Sequence, residues 1–294
     1  MKTHVVLHGG LGNQLFQWAF GHRIKNCGVD VSFIFFQRSN NVAHASSSLR
    51  SFLSNCEHGN FLESIKPQSR IKQVFFDPTF HKNPFRFIPG YVNATSHDPF
   101  LLVQPERASK LRYNFGYYQN WQLVQPIAEI ILPELFQALD RREKSQVETD
   151  LYGSEVIHIR QNDTKSPEHM VKLGVLSDLY YQKLPPKSKI KRIVLTDDIN
   201  GARQVLNGIE VDGFYGPDDL NTYQALGVMS QSATLFAANS TLSWWGGYLA
   251  RSRGATVYIP HPYFRNFHTS PGMAFADPSF SLLDSHFMVP VDSI

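Results

Sequence analysis

TLFAANSTLSWWGGYLA, residues 234–250, passes from a short apolar run, Thr234–Ala238, through Asn239, Ser240 and Thr241 into a stretch with Leu242, Trp245 and Leu249 on one helical face. A strand's carboxyl end therefore meets a helix amino end. In a parallel sheet such a junction opens onto the ligand crevice, where unpaired N–H groups and the helix dipole favour an anion by roughly 0.3–1 kcal/mol. Ser240, Thr241 and Ser243 add hydroxyls, so a diphosphate suits the place. Read alone, the block also fits serines that only cap a helix and tryptophans that only pack.

The same rhythm surrounds it. Apolar runs at Glu155–Arg160, Ile190–Thr196, Glu210–Phe214 and Thr256–Ile259 alternate with helical patterns near 178–184, 200–207, 219–231 and 240–252. Alternation of this kind implies parallel strands with crossover helices, a Rossmann-like lobe over residues 151–294. Residues 1–150 read as a second α/β lobe: a strand at Thr3–Leu7, a glycine turn, a helix over Asn13–Asn26 and a strand at Val29–Phe36. Residues 37–112 show few clean periods, Gln122–Leu139 returns to helical spacing with a kink expected at Pro133, and Asp140–Gly153 reads as a charged linker.

Three further groups could carry chemistry. Gly9, Gly10 and Gly12 would let the backbone approach a ligand, yet Leu15 breaks the dinucleotide fingerprint and the phosphate-loop pattern is absent. At the end of a predicted strand, alternation puts His158 and Arg160 on one face, and the arginine's planar fork suits phosphate oxygens; a structural histidine and an Arg160–Asp163 ion pair are the plainer alternatives. Asp163, Glu168 and the pair Asp197-Asp198 are carboxylates near predicted strand ends. None of the 15 aspartates forms a D-x-D, so a diphosphate would have to be neutralised by Arg160, amides and hydroxyls, and no cofactor or metal is expected.

Composition narrows the class. A net charge of +3 without a basic block argues against nucleic acid, and 42% apolar with 18% charged residues argues for a folded core. Cys27 and Cys56 support neither a disulfide scaffold nor a zinc module. With no apolar stretch of spanning length, the expectation is a bacterial cytoplasmic protein, or one peripheral at the inner membrane, and the sequons at Asn93, Asn162 and Asn239 carry no weight.

GGLGNQLFQWAFG at 9–21, GYYQNW at 116–121, HIRQND at 158–163, LTDD at 195–198 and ANSTLSWWGGYLA at 238–250 together resemble the α-1,2-fucosyltransferases of glycosyltransferase family 11. The resemblance runs from residue 9 to 250, with one departure: Gln161-Asn162-Asp163 stands where the family usually has Arg-Gly-Asp. It implies a GT-B fold, two Rossmann-like lobes facing across a cleft, and inverting, metal-independent transfer of L-fucose from GDP-β-L-fucose to the 2-hydroxyl of a terminal β-galactoside. The implied donor set is Gly10, Gly12, His158, Arg160, Asp197, Asp198, Asn239, Ser240, Thr241 and Ser243, with Arg160 on the β-phosphate. Asn13 would look toward the reacting groups, Asp163 or Glu168 would be the base if one is needed, and Tyr117 and Trp121 would flank the acceptor. A fucosyltransferase of other linkage, α-1,6 or protein O-linked, is the alternative within the class, and a nicotinamide-dependent epimerase or reductase and a non-catalytic glycan-binding protein are the competing classes.

Overall fold

In the computed structural model, the described residues are 2–36, 49–53, 62–65, 91–93, 104–110, 113–161, 167–266 and 274–288. The chain divides into two compact units, Met1–Arg142 with Ser270–Ala274, and Glu143–Thr269 with Phe275–Ile294. Each is built on a parallel sheet. The α/β class, with two units each built on a parallel sheet, stands as the sequence reads it.

In the first unit the strands are β1 (Lys2–Leu7), β2 (Asp30–Phe36), β3 (Leu62–Ile65), β4 (Tyr91–Asn93) and β5 (Tyr113–Phe115), in the order β3-β2-β1-β5-β4. The order reverses between β1 and β5. The helix Leu11–Lys25 packs so tightly on β2 that a side chain at Gly21 would collide with the Phe33 ring. Its apolar face is closed by Leu15, Phe16, Ala19 and Phe20, all but fully buried. Burying a residue of that size contributes roughly 1.5–3 kcal/mol. The stretch expected as one kinked helix is three pieces: Trp121–Val124, a 3₁₀ turn Gln125–Ile127 led by Pro126, and Ala128–Arg141, which runs through Pro133. The break falls at Pro126 because a proline lacking its N–H is tolerated at a helix start.

In the second unit the strands are β6 (Glu155–Ile159), β7 (Arg192–Thr196), β8 (Gly213–Tyr215), β9 (Thr234–Phe236), β10 (Thr256–His261) and β11 (Ser281–Asp284). They lie in the order β11-β10-β9-β6-β7-β8 with every pairing parallel. Both faces are covered, so β6 and β7 are buried at every position and read as continuous apolar runs. Two charges break those runs. Glu155 and Arg192, paired in register across β6 and β7, meet at 2.7 Å, and the guanidinium also donates to the Pro185 carbonyl. The expected charged linker contains a short helix, Gln146–Thr149, whose N-cap Ser145 accepts from the Glu148 N–H.

Gly246 and Gly247 belong to packing. A Cβ on Gly246 would lie 2.6 Å from Met229 Cβ, and one on Gly247 would lie 2.8 Å from a Val257 methyl. These two residues let the helix Thr241–Ser252 settle against β10 and the helix Thr222–Ser230, which fixes where its amino end points.

Candidate functional site

Sheet order locates the crevice of the second unit. From β6 the chain builds outward through β7 and β8 on one side and through β9, β10 and β11 on the other, so the switch point lies between β6 and β9. Ligands of open parallel sheets bind outside the carboxyl ends of the strands at such a point. The residues leaving β6 are Arg160 and Gln161; those leaving β9 are Ala237 to Ser240, followed by the twelve-residue helix Thr241–Ser252. The segment that decided the fold and the H-x-R segment thus arrive at one sheet edge.

Main-chain bonds shape the exit of β9. Tyr263 Oη shares its hydroxyl proton between the carbonyls of Ala238, at 3.1 Å, and Ser240, at 2.7 Å. The Ser240 N–H bonds the Ala238 carbonyl, and Ser243 Oγ folds back to accept from the Ala238 N–H at 3.0 Å. Carbonyls are tied inward. The helix's opening N–H groups, which no intrahelical carbonyl can reach, remain at the amino end with its positive dipole. Ser240 stands at the N-cap without making a capping bond through its side chain, so its hydroxyl is not committed to the helix.

The other sequence candidates fall in distinct places. Asn239 spends its amide on the carbonyls of Leu173 and Gly174, anchoring a neighbouring turn. Asp198 caps its own helix, Ile199–Val205, accepting from the Gly201 N–H at 2.9 Å. Asp197 reaches across to β6, where Oδ1 accepts from the Gln161 N–H at 2.8 Å. That bond sets the backbone just after Arg160. Trp244 and Trp245 are wholly buried. Asp163 lies outside the described residues, and Glu168 lies in the helix Pro167–Lys172, of which only the backbone is described at that position.

His158 is 7% exposed, and its Nδ1 has no hydrogen-bond partner. Burial, reinforced by the Arg160 charge, pushes its pKa down to about 3, so the imidazole is neutral at pH 7. The stability consequence has a definite sign. Below the unfolded pKa near 6.5 the unfolded chain takes up a proton that the folded chain refuses, so stability falls with acidity until the folded pKa is reached. For His158 the expected loss between pH 7 and pH 5 is about 2 kcal/mol. Urea unfolding of wild type and His158→Gln at the two pH values checks it, the variant losing less.

A second polar cluster sits at the switch point of the first unit. Gly9, with φ +78°, turns the chain out of β1, and Gly10 caps the helix Leu11–Lys25. Gln17, fully buried on that helix, accepts from the His8 N–H at 2.8 Å and donates to the Gly116 carbonyl at 3.0 Å, joining the exits of β1 and β5. Gln14 similarly bonds the Gly9 carbonyl and the Leu49 N–H. Asn13 Oδ1 accepts from Gln119 Nε2 at 2.9 Å, while Gln119 Oε1 is buried without a hydrogen bond. The Tyr117 ring lies 4.8 Å from the His8 ring, and Trp121, partly exposed, opens the next helix. Gly12 is buried in the first turn of its helix.

Sequence reasoning passed over Gln14, Gln17, Tyr263 and His8. The two glutamines had a readable sign, polar residues three apart on the apolar face of a helix. Tyr263 had none, because its contact spans more than twenty residues.

No family model matches the chain. It is 26% identical over 293 residues to an α-1,2-colitosyltransferase of Escherichia coli, covering 88% of this chain and 91% of that protein. It is also 26% identical over 286 residues to the O-antigen biosynthesis glycosyltransferase WbnK of Escherichia coli, covering 88% and 93%. Among solved structures, E. coli heptosyltransferase WaaC with ADP aligns over 97% of this chain and 93% of its own, at 12% identity and a TM-score of 0.44. The two sequence relatives fit the resemblance to α-1,2-fucosyltransferases and support a glycosyltransferase.

Proposed function

We propose that the chain is an inverting α-1,2-fucosyltransferase that moves L-fucose from GDP-β-L-fucose to the 2-hydroxyl of a terminal β-galactoside without a metal ion. The observation that carries this reading is the meeting of Arg160, at the exit of β6, with the helix amino end that follows β9, at the switch point of one sheet. A guanidinium, main-chain N–H groups and the Ser240 hydroxyl are what a departing diphosphate requires. In this reading the C1–O bond to GDP breaks ahead of attack, the fucosyl group becomes oxocarbenium-like, and its electron pair leaves on the β-phosphate oxygen. Arg160 and Ser240 stabilise that charge. His158, neutral and with Nδ1 buried without a protein partner, lies near the ribose or guanine in this reading.

The product assay decides it. Incubation with GDP-fucose and lactose should yield a trisaccharide whose linkage analysis gives fucose α-1,2 to galactose, at a rate unchanged by a chelator. Another linkage removes the acceptor assignment, and loss of activity on chelation removes the metal-independent one. A nucleotide-linked colitose, the sugar in one relative's name, is the competing donor in the same assay. Binding gives a separate expectation: GDP at a hundred times its Kd should stabilise the fold by about 2.7 kcal/mol, and UDP and NAD should not. Stabilisation by NAD would instead favour a nicotinamide enzyme, and by none of the three a non-catalytic glycan binder.

A further inference from the structure

Within the second unit, Tyr263 follows β10 by two residues, and in the sheet order β9 lies between β10 and β6. The tyrosine and Arg160 therefore reach the exit of β9 from opposite neighbouring strands. Residues 238–240 form a tight turn there, the Ser240 N–H donating to the Ala238 carbonyl at 2.8 Å. Tyr263 Oη lies 3.1 Å from that carbonyl and 2.7 Å from the carbonyl of Ser240, the N-cap residue, so one hydroxyl spans the turn. The ring is buried, stacked on Phe275 at 4.0 Å and edge-on to Phe264 at 5.2 Å. Burial also pushes its pKa well above the usual phenol range, which keeps the hydroxyl a donor. Neither carbonyl depends on it for a partner, because Ala238 has the Ser240 N–H and Ser240 has the Trp244 N–H at 2.9 Å. What the hydroxyl supplies is direction. A carbonyl oxygen carries partial negative charge, and turned outward it would repel the anion that the helix N–H groups attract.

We propose that Tyr263 is a positioning residue of the donor site, its hydroxyl drawing both carbonyls of the turn toward β10 so that the N–H groups opening the helix Thr241–Ser252 meet the diphosphate. The assignment rests on the transferase reading above and adds to it a residue that touches neither substrate nor the reacting atoms. Tyr263 acts through the turn alone. Its contribution therefore belongs to the phosphates and not to the nucleoside, and it grows as the leaving diphosphate gains charge.

The test compares Tyr263→Phe with wild type as full chains, at a temperature where circular dichroism shows both folded. The variant keeps the stacked ring and leaves each carbonyl its main-chain donor, so it is expected to fold. Titration with GDP and with guanosine separates the two parts of the ligand. GDP affinity should fall about tenfold, the scale of one net hydrogen bond, while guanosine affinity stays at the wild-type value. With GDP-fucose and lactose, kcat should fall at saturating donor and the acceptor KM should not move. A merely structural role would loosen the whole site and weaken guanosine as much as GDP. Equal weakening of the two ligands, or unchanged GDP affinity and kcat, overturns the assignment. Should wild type bind GDP no more tightly than guanosine, the diphosphate reading of the site fails first and Tyr263 with it.

Discussion

Arg160→Ala should cost a hundred- to thousandfold in transfer rate, about 2.7–4 kcal/mol of barrier, with no comparable loss of fold stability. The argument is one of charge and place. In a dissociative displacement the leaving diphosphate gains negative charge at the transition state, and a preorganised guanidinium at the strand exit stabilises that state more than the ground state. Removing it is therefore expected in kcat rather than in binding alone. Arg160→Lys should recover part of the loss, since an ammonium keeps the charge and forfeits the planar pair of donors. A second readout is independent of turnover: the Arg160 charge is one cause of the depressed His158 pKa, so the variant's His158 should rise, staying below 6.5 because burial is the larger cause. Unchanged transfer by Arg160→Ala would sink the leaving-group argument.

What the sequence could and could not disclose follows from how local each determinant is. The β6 and β9 exits were readable because β6 is one unbroken run at Glu155–Arg160, and strand, turn and helix are written contiguously at Thr234–Leu249. Strand β11 was missed: Ser281–Asp284 is a short edge strand with three of its four residues exposed, so it carries no apolar run. Side-chain roles were less readable than positions. Asp198 was read as facing a ligand, yet its carboxylate caps the helix three residues on, and an acidic residue just before a helical pattern is an ordinary cap. Asn239 was read with the phosphate hydroxyls, and its amide instead holds a turn sixty-five residues earlier in the chain. A bond between residues so far apart leaves no spacing to detect. The Asp197 contact with the Gln161 N–H is of the same kind, a cross-strand tie that exists only once β6 and β7 pair.

Trp244→Ala carries the largest expected effect on stability and tests how the amino end of the helix Thr241–Ser252 is held. The indole is wholly buried, stacked on Tyr248 at 5.0 Å, edge-on to Trp245 at 5.2 Å, and its Nε1–H donates to the Phe275 carbonyl at 2.9 Å. Truncation removes that packing, which for a large aromatic costs about 3–5 kcal/mol, and strips the Phe275 carbonyl of a buried donor, adding about 1–3 kcal/mol. Trp244→Phe bears on the two contributions, since it keeps an aromatic six-membered ring while losing the donor and the smaller part of the indole. The expected order of urea midpoints is wild type, then Trp244→Phe, then Trp244→Ala. A functional consequence follows from position. Trp244 lies in the first turn of the helix, one residue after the Ser243 hydroxyl that holds the Ala238 N–H. Loosening it frees the amino end from its fixed direction, so at a temperature where Trp244→Phe is still fully folded, its affinity for GDP should fall. If GDP binds Trp244→Phe as tightly as wild type, the amino end of the helix is held by Tyr263 and Ser243 without help from the indole.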